Sequence, residues 1–255
     1  MNTVKADSLI AHIHGTSEKM AAAAAQAAAA AIAEAVEVRG IARVILATAV
    51  SQIEFYHSLV ADKTVDWSRI VLFHMDEFLG IGEHQSASFG KFLNENLLTR
   101  VPVRTAHKLQ GDSLLPLNEC ARYESLLRES PVDLCCFGVG ENGHIAFNDP
   151  DVADFEEEYW VKLAKLDERC RLQQVKDGVF PSLADVPQYA YTLTIPALMA
   201  TRQVIGIVPG SHKAEAVGKM LQGPVSTACP ASILRHHPKA VLHLDTLSAE
   251  RLLIS

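Results

Sequence analysis

Residues 137–150, FGVGENGHIAFNDP, put an imidazole (His144), an amide (Asn142) and a carboxylate (Asp149) into one turn with three glycines. An imidazole with a carboxylate to orient it can move a proton on or off an oxygen. Gly138, Gly140 and Gly143 permit positive φ and close approach of the backbone to a ligand. A tight strand-to-helix turn holding a satisfied histidine explains the same residues, because a lone glycine-rich turn is weakly specific. A second group is the acidic pair Asp76-Glu77, which follows the apolar run 69–75. Neighbouring strand residues face opposite ways, so one of the two carboxylates faces any given pocket. Surface capping is the other use of such a pair. Lys213, after Pro209-Gly210-Ser211-His212, falls in the first turn of a helix, where a cation opposes the macrodipole unless an anion binds. A solvated surface lysine fits nearly as well. Thr48 and Ser51 flank Ala49 and Val50 at another strand end. Strand, hydroxyl-bearing loop and helix is an arrangement in which N–H groups hold phosphate. Valine resists positive φ, so an anion nest of the usual kind would be strained here, and Ser51 serves equally as a helix cap.

These groups are useful only if strands end beside one another. Residues 43–49, 69–75, 132–137, 191–195, 203–208 and 240–244 are short apolar runs, rich in β-branched residues, that read as strands. Between them, residues 52–63, 118–128 and 196–200 read as helices, with others starting at Ser86 or Ser88 and at about Ala214. Residues 17–38, mostly alanine, form a helix that Ser17 caps and Gly40 ends, packed closely through small side chains. The chain is expected to begin directly with this helix. The alternation predicts an α/β fold with a doubly wound, mostly parallel sheet and helices on both faces, modified Rossmann-like, with ligands at the carboxyl ends of the strands. Residues 1–255 read as one domain. Residues 152–187 are polar and less periodic, and read as an irregular lid insertion.

Composition narrows the function classes. A formal net charge of −7 argues against a nucleic-acid backbone binder while allowing a local basic pocket for a small anion. Five cysteines, an odd number without CxxC spacing, read as reduced thiols in a cytoplasmic protein. No stretch is expected to span a bilayer, and residues 1–10 lack the apolar run of a signal peptide.

Taken together, the chain resembles the glucosamine-6-phosphate deaminase (isomerase) family. FHMDEFLGI (73–81) is similar to that family's MDE-x-x-G strand end, and EHQSASFGKFLNENLL (83–98) to its next helix. ECARYESLL, GVGENGHIAFNDP, VPQYAYTLTIPALM, GSHKAEAV and CPASILRHHP follow in the family's order. The resemblance implies an enzyme converting glucosamine 6-phosphate or a close analogue to a ketose phosphate and ammonia, without a metal or organic cofactor. It implies His144, Asp149 and Asn142 for ring opening, Asp76 as the base for enolisation, and Glu77 turned away from the sugar. It implies Lys213, Gln174 and the loop Thr48, Ala49, Val50 and Ser51 for the phosphate.

Three departures stand out. Both glycines of the family's T-G-G-T loop are replaced, and the lid arginine falls on Gln174, with Arg169, Arg171 and Lys176 nearby. Asp149 replaces a glutamate, shortening its reach by about one C–C bond, ~1.5 Å, which can lower a rate by on the order of 10²-fold unless the backbone compensates. The chain lacks the long C-terminal extension of allosteric members, so no allosteric regulation is expected. Two alternatives remain in view: a 6-phosphogluconolactonase-like hydrolase, which shares the fold and the G-x-G turn, and a sugar-phosphate-binding module without turnover. The partner is a small phosphosugar, not nucleic acid or membrane, and homo-oligomer formation is left open.

Overall fold

The computed structural model describes residues 2–252. Strands β1 (Asn2–Ala6) and β2 (Leu9–His14) form a hairpin ahead of helix α1 (Ser17–Arg39). The chain then runs through β3 (Ala42–Leu46), α2 (Ile53–Ala61), β4 (Ile70–His74), β5 (Asp76–Phe78) and α3 (Phe89–Leu93). A π-helical turn (Asn94–Leu98), β6 (Thr105–His107), α4 (Pro116–Arg128) and β7 (Leu134–Phe137) follow. Next come β8 (Val161–Lys165), α5 (Glu168–Lys176), β9 (Tyr189–Leu193), α6 (Ile195–Met199), β10 (Gln203–Val208), α7 (Ala214–Gln222) and β11 (Ala240–Asp245).

Eight strands form the main sheet in the order β1-β2-β11-β10-β7-β3-β4-β6, parallel except for the β1–β2 pair. β3 and β4 are buried at every residue, as strands covered on both faces must be. One apolar layer contains residues of α1 and α2, the other residues of α4, α6 and α7, which is the doubly wound arrangement. After β3 the chain moves outward through β4 to β6, and after β7 it moves the opposite way through β10 to β11. The reversal falls between β3 and β7, where such sheets open a crevice at their carboxyl ends.

Four expectations are corrected. The chain opens with a hairpin and not with α1: Leu9, Ala11 and Ile13 face the core while the intervening residues face outward. Thr16, not Ser17, caps α1 by accepting from the Lys19 N–H at 3.3 Å. α1 does have the length and mean hydropathy (1.3) of a membrane span, contrary to the reading of composition. Its apolarity serves packing, with Met20, Ala24, Ala28 and Ile32 buried in one of the two core layers. Residues 152–187 are irregular only in part, since they contain β8 and α5. β8 joins β9 and β5 in a three-stranded antiparallel sheet, so the acidic pair 76–77 begins a new strand instead of ending the old one. An aromatic cluster of Phe78, Phe89, Phe147 and Phe180 packs on this small sheet.

Candidate active site

A cavity of about 280 Å³ opens at the strand reversal. Its lining brings together Thr48, Ala49, Val50 and Ser51 after β3, Asp76 on β5, His144 after β7, Gln174 on α5 and Lys213 after β10. Asn142 and Asp149 are not on the wall; they stand behind His144.

The imidazole is held from behind. His144 Nδ1 lies 3.0 Å from Asp149 Oδ1 and 2.8 Å from Asn142 Oδ1. Asn142 donates to Asp149 Oδ1 at 2.9 Å and to Asp167 Oδ2 at 2.8 Å, and the Asp167 N–H donates to Asp149 Oδ2 at 3.1 Å. Asp149 is fully buried. Burial pushes its carboxyl up, but the bonds from His144, Asn142 and Asp167 outweigh this and leave it below the usual carboxylate value. An ionised Asp149 next to Nδ1 fixes the proton there and leaves Nε2 free to accept one. The shorter side chain therefore keeps its contact with the histidine. Asp167 also caps α5, accepting from the Cys170 N–H at 2.5 Å, so helix and turn share one network. The Cys170 thiol lies with the His144 and Asp149 ligand atoms inside a 4.8 Å group, and burial pushes it well above the ordinary thiol range.

The three glycines serve different needs. Only Gly143 is left-handed (φ 87°). Gly138 and Gly140 are required by contact: a Cβ on Gly140 would sit 2.2–2.4 Å from the His144 ring, and one on Gly138 3.1 Å from the Gln52 amide nitrogen. Gly140→Ala is accordingly expected to rotate His144 out of line and reduce turnover by on the order of 10²-fold. A crystal structure of the variant, paired with its kinetics, checks both parts. Ala146, also on the cavity wall, has φ 51°, a conformation uncommon for a side-chain-bearing residue. Asn148 holds that turn in place by donating to the Ile145 and Leu193 carbonyls.

Asp76, on β5, also lines the cavity. Burial drives its carboxyl well above the usual range, Glu77 adds to the shift, and the Thr48 hydroxyl opposes it. Thr48 Oγ1 is buried without a partner at full hydrogen-bonding geometry, which leaves a polar group ready for a ligand. Glu77 turns the other way, as strand alternation requires, and binds the start of α3.

The loop 48–51 adopts its conformation without the glycines it lacks. Ala49 is extended (φ −144°, ψ 156°), and Val50–Gln52 form a 3₁₀ turn leading into α2. No residue of 48–51 has positive φ, so the expected strain at Val50 is absent. Lys213 is buried, and burial lowers its pKa while Asp177, Glu141 and Cys170 counteract that effect. Among the described residues it is the only lysine or arginine on the cavity wall. Arg171 instead donates to the Leu183 and Val186 carbonyls, and Lys176 pairs with Glu141 at 3.5 Å. Ser86, Ser88, Phe89, Phe92, Gln173 and Asp177 also line the cavity and were not expected from the sequence. Only Gln173, next to Gln174, had a local signal.

The chain is similar to known proteins in sequence and fold. Residues 15–243 match the family described as glucosamine-6-phosphate isomerases/6-phosphogluconolactonase. A glucosamine-6-phosphate deaminase from Exiguobacterium sp. is 34% identical over 206 residues, 81% of this chain and 79% of that protein. One from Lactobacillus delbrueckii subsp. bulgaricus is 32% identical over 207 residues, 81% of this chain and 86% of that protein. Among solved structures, a monomeric glucosamine-6-phosphate deaminase superposes with a TM-score of 0.86 at 26% identity, covering 94% of this chain and 98% of that one. The 6-phosphogluconolactonase of Trypanosoma brucei gives 0.79 at 17% identity, over 98% and 100% of the two chains, a likeness of fold alone.

Proposed function

The chain belongs to the glucosamine-6-phosphate isomerase/6-phosphogluconolactonase family, and we propose that it deaminates and isomerises glucosamine 6-phosphate or a close analogue. The observation that carries this reading is the pair of groups able to transfer protons that line one cavity, the His144 imidazole and the Asp76 carboxylate. A lactone hydrolysis needs no base at a sugar carbon, so a buried carboxylate of raised basicity in the same cavity as the histidine favours the deaminase over the lactonase.

Ring opening comes first. His144 Nε2 takes the proton of the C1 hydroxyl and returns a proton to the ring oxygen as the C1–O5 bond breaks, giving a C1 aldehyde and a C5 hydroxyl. Asp149 stabilises the imidazolium that forms between the two transfers, and Asn142 holds both. Asp76 then removes the C2 proton; the electron pair forms the C1=C2 bond of an enolamine as the C1=O π pair moves to O1, which takes up a proton from water. The same carboxyl returns the proton to C1, leaving an iminium at C2. Water adds there, ammonia leaves, and C2 becomes the ketone. A carboxyl with raised basicity suits both directions of this transfer.

Thr48, Ser51, Gln174 and Lys213 form the pole that takes the phosphate, with the Val50 and Ser51 N–H groups at the start of a helical segment. Residues 152–187, through α5, form a lid over this pole, and the whole chain acts as one domain. The cytoplasm, where phosphosugars are made, is the compartment that fits.

Ammonia release measured over a panel of hexosamine phosphates tests the reading, and silence across the panel would refute it. Within the same assay, Lys213→Met should raise KM by about 10- to 100-fold, with a smaller change in kcat. Loss of one charge-assisted phosphate contact is worth roughly 1.5–3 kcal/mol, and non-phosphorylated glucosamine should feel no change. An equal loss on both substrates would remove Lys213 from the phosphate pole.

A further inference from the structure

The second carboxylate of the acidic pair has no part in the proton transfers above, yet it is the better bound of the two. Glu77 is buried, and its two oxygens accept four hydrogen bonds: Phe78 N–H (3.0 Å) and Phe89 N–H (3.1 Å) to Oε1, Ser88 hydroxyl (2.8 Å) and Gly90 N–H (2.9 Å) to Oε2. Three of these donors belong to the residues that open α3, and two of them, Ser88 and Phe89, line the cavity. The three backbone N–H groups can only donate, and the Ser88 hydroxyl in turn accepts from Lys91 N–H at 3.2 Å, so it too turns its proton to the carboxylate. A carboxylic acid proton on Glu77 would therefore face donors and no acceptor. Gly111 packs close to the side chain: a Cβ on it would stand 3.0 Å from Glu77 Cγ and 2.1 Å from the Ile81 carbonyl oxygen.

Resting on the deaminase reading of Asp76, we propose that Glu77 is a positioning residue for that base. Its carboxylate stays ionised, ties the Ser88–Phe89 wall to the strand that carries Asp76, and sets a fixed negative charge directly behind it. The two carboxyls then divide their work by environment. Glu77, supplied with donors, keeps its charge; Asp76, supplied with none at full geometry, is the one that takes up and releases a proton. Burial raises both, and the donors around Glu77 act against its shift. The other titratable groups near Asp76 are Tyr56, Tyr123 and Cys170, with His144 and Lys213 facing the same cavity. Buried phenols and thiols pushed up in this way stay neutral where Asp76 titrates, which leaves Glu77 as the adjoining negative charge.

A carboxyl-carbon NMR titration of the whole chain tests this without relying on turnover. On raising the pH, Glu77 should lose its proton before Asp76 does. In Glu77→Gln the Asp76 midpoint should fall by on the order of one pH unit, as expected for removing a like charge at this distance. Glu77→Asp, which keeps the charge and shortens the tether, should leave the midpoint high and raise KM. In kinetics, the acid limb of kcat/KM should move down with the Asp76 midpoint in Glu77→Gln, and the plateau should drop as the base weakens. Asp76 ionising before Glu77 in the wild-type chain, or an unmoved midpoint in a folded Glu77→Gln, would overturn the proposal. If Glu77→Gln does not fold, the wild-type order of ionisation still decides. Absence of ammonia release with the expected titrations would instead count against the deaminase reading alone.

Discussion

Asp76→Asn is expected to reduce deamination by about 10³–10⁴-fold, the upper part of the range for loss of a general base, while making the protein more stable. The two effects share one cause. Asp76 is buried beside a second carboxyl without a full hydrogen bond of its own, so its charged form is disfavoured in the folded chain. A group whose folded pKa is raised contributes stability below its unfolded pKa and loses it as the pH climbs through the folded value. At neutral and alkaline pH the wild-type chain therefore carries a penalty that the neutral amide removes. For a chain of this size each kcal/mol relieved lifts Tm by about 2–4 °C. Melting curves of both proteins should diverge as pH rises from the ordinary carboxylate range. A variant that loses activity and stability together would mean that Asp76 is a structural residue. The wild-type enzyme should also show an acid limb in kcat/KM above the ordinary carboxylate range, because the base must be ionised to accept the C2 proton.

The second large effect is expected at His144. His144→Ala should lower turnover of the closed-ring substrate by about 10²–10⁴-fold and leave the later steps in place. Solvent exchange at C1 of the ketose phosphate, with ammonia present, depends on Asp76 and not on opening the aldose ring. It should persist in His144→Ala and disappear in Asp76→Asn. Asp149 would be left buried with its Asn142 and Asp167 bonds but without the imidazole, so a moderate loss of stability should accompany the change. If C1 exchange vanished in both variants, the division of labour between the two groups would be wrong.

Both predictions use groups that were legible before any fold was known, and the reason is chemical. An imidazole, an amide and a carboxylate within eight residues, and two adjacent carboxyls after an apolar run, are local patterns. So are the runs that became β3, β4, β7, β10 and β11, since strands covered on both faces need continuous apolar sequence. The doubly wound sheet followed from their alternation with helices. The β1–β2 hairpin was passed over because strands this short are specified by what they pair with, and β2 pairs with β11, more than two hundred residues away. The small sheet was hidden for the same reason, as Asp76 pairs with Thr192.

Within the site, residue type and spacing by themselves determined that a histidine, an acidic pair and a lysine stand at or just after strand ends; the roles proposed for them came from the family resemblance. Tertiary structure decided how those groups behave. It brought Asp149 within 3.0 Å of His144 despite its shorter side chain, because Asp167 and Asn142 hold that carboxylate from the far side. It gave Gly140 its purpose as clearance for the ring. It also separated two adjacent carboxyls into one locked and one titrating group by placing the start of α3 against Glu77 and an open cavity against Asp76. Sequence specifies which functional groups are present; burial and the count of donors around each, which depend on residues distant in the chain, set their charge.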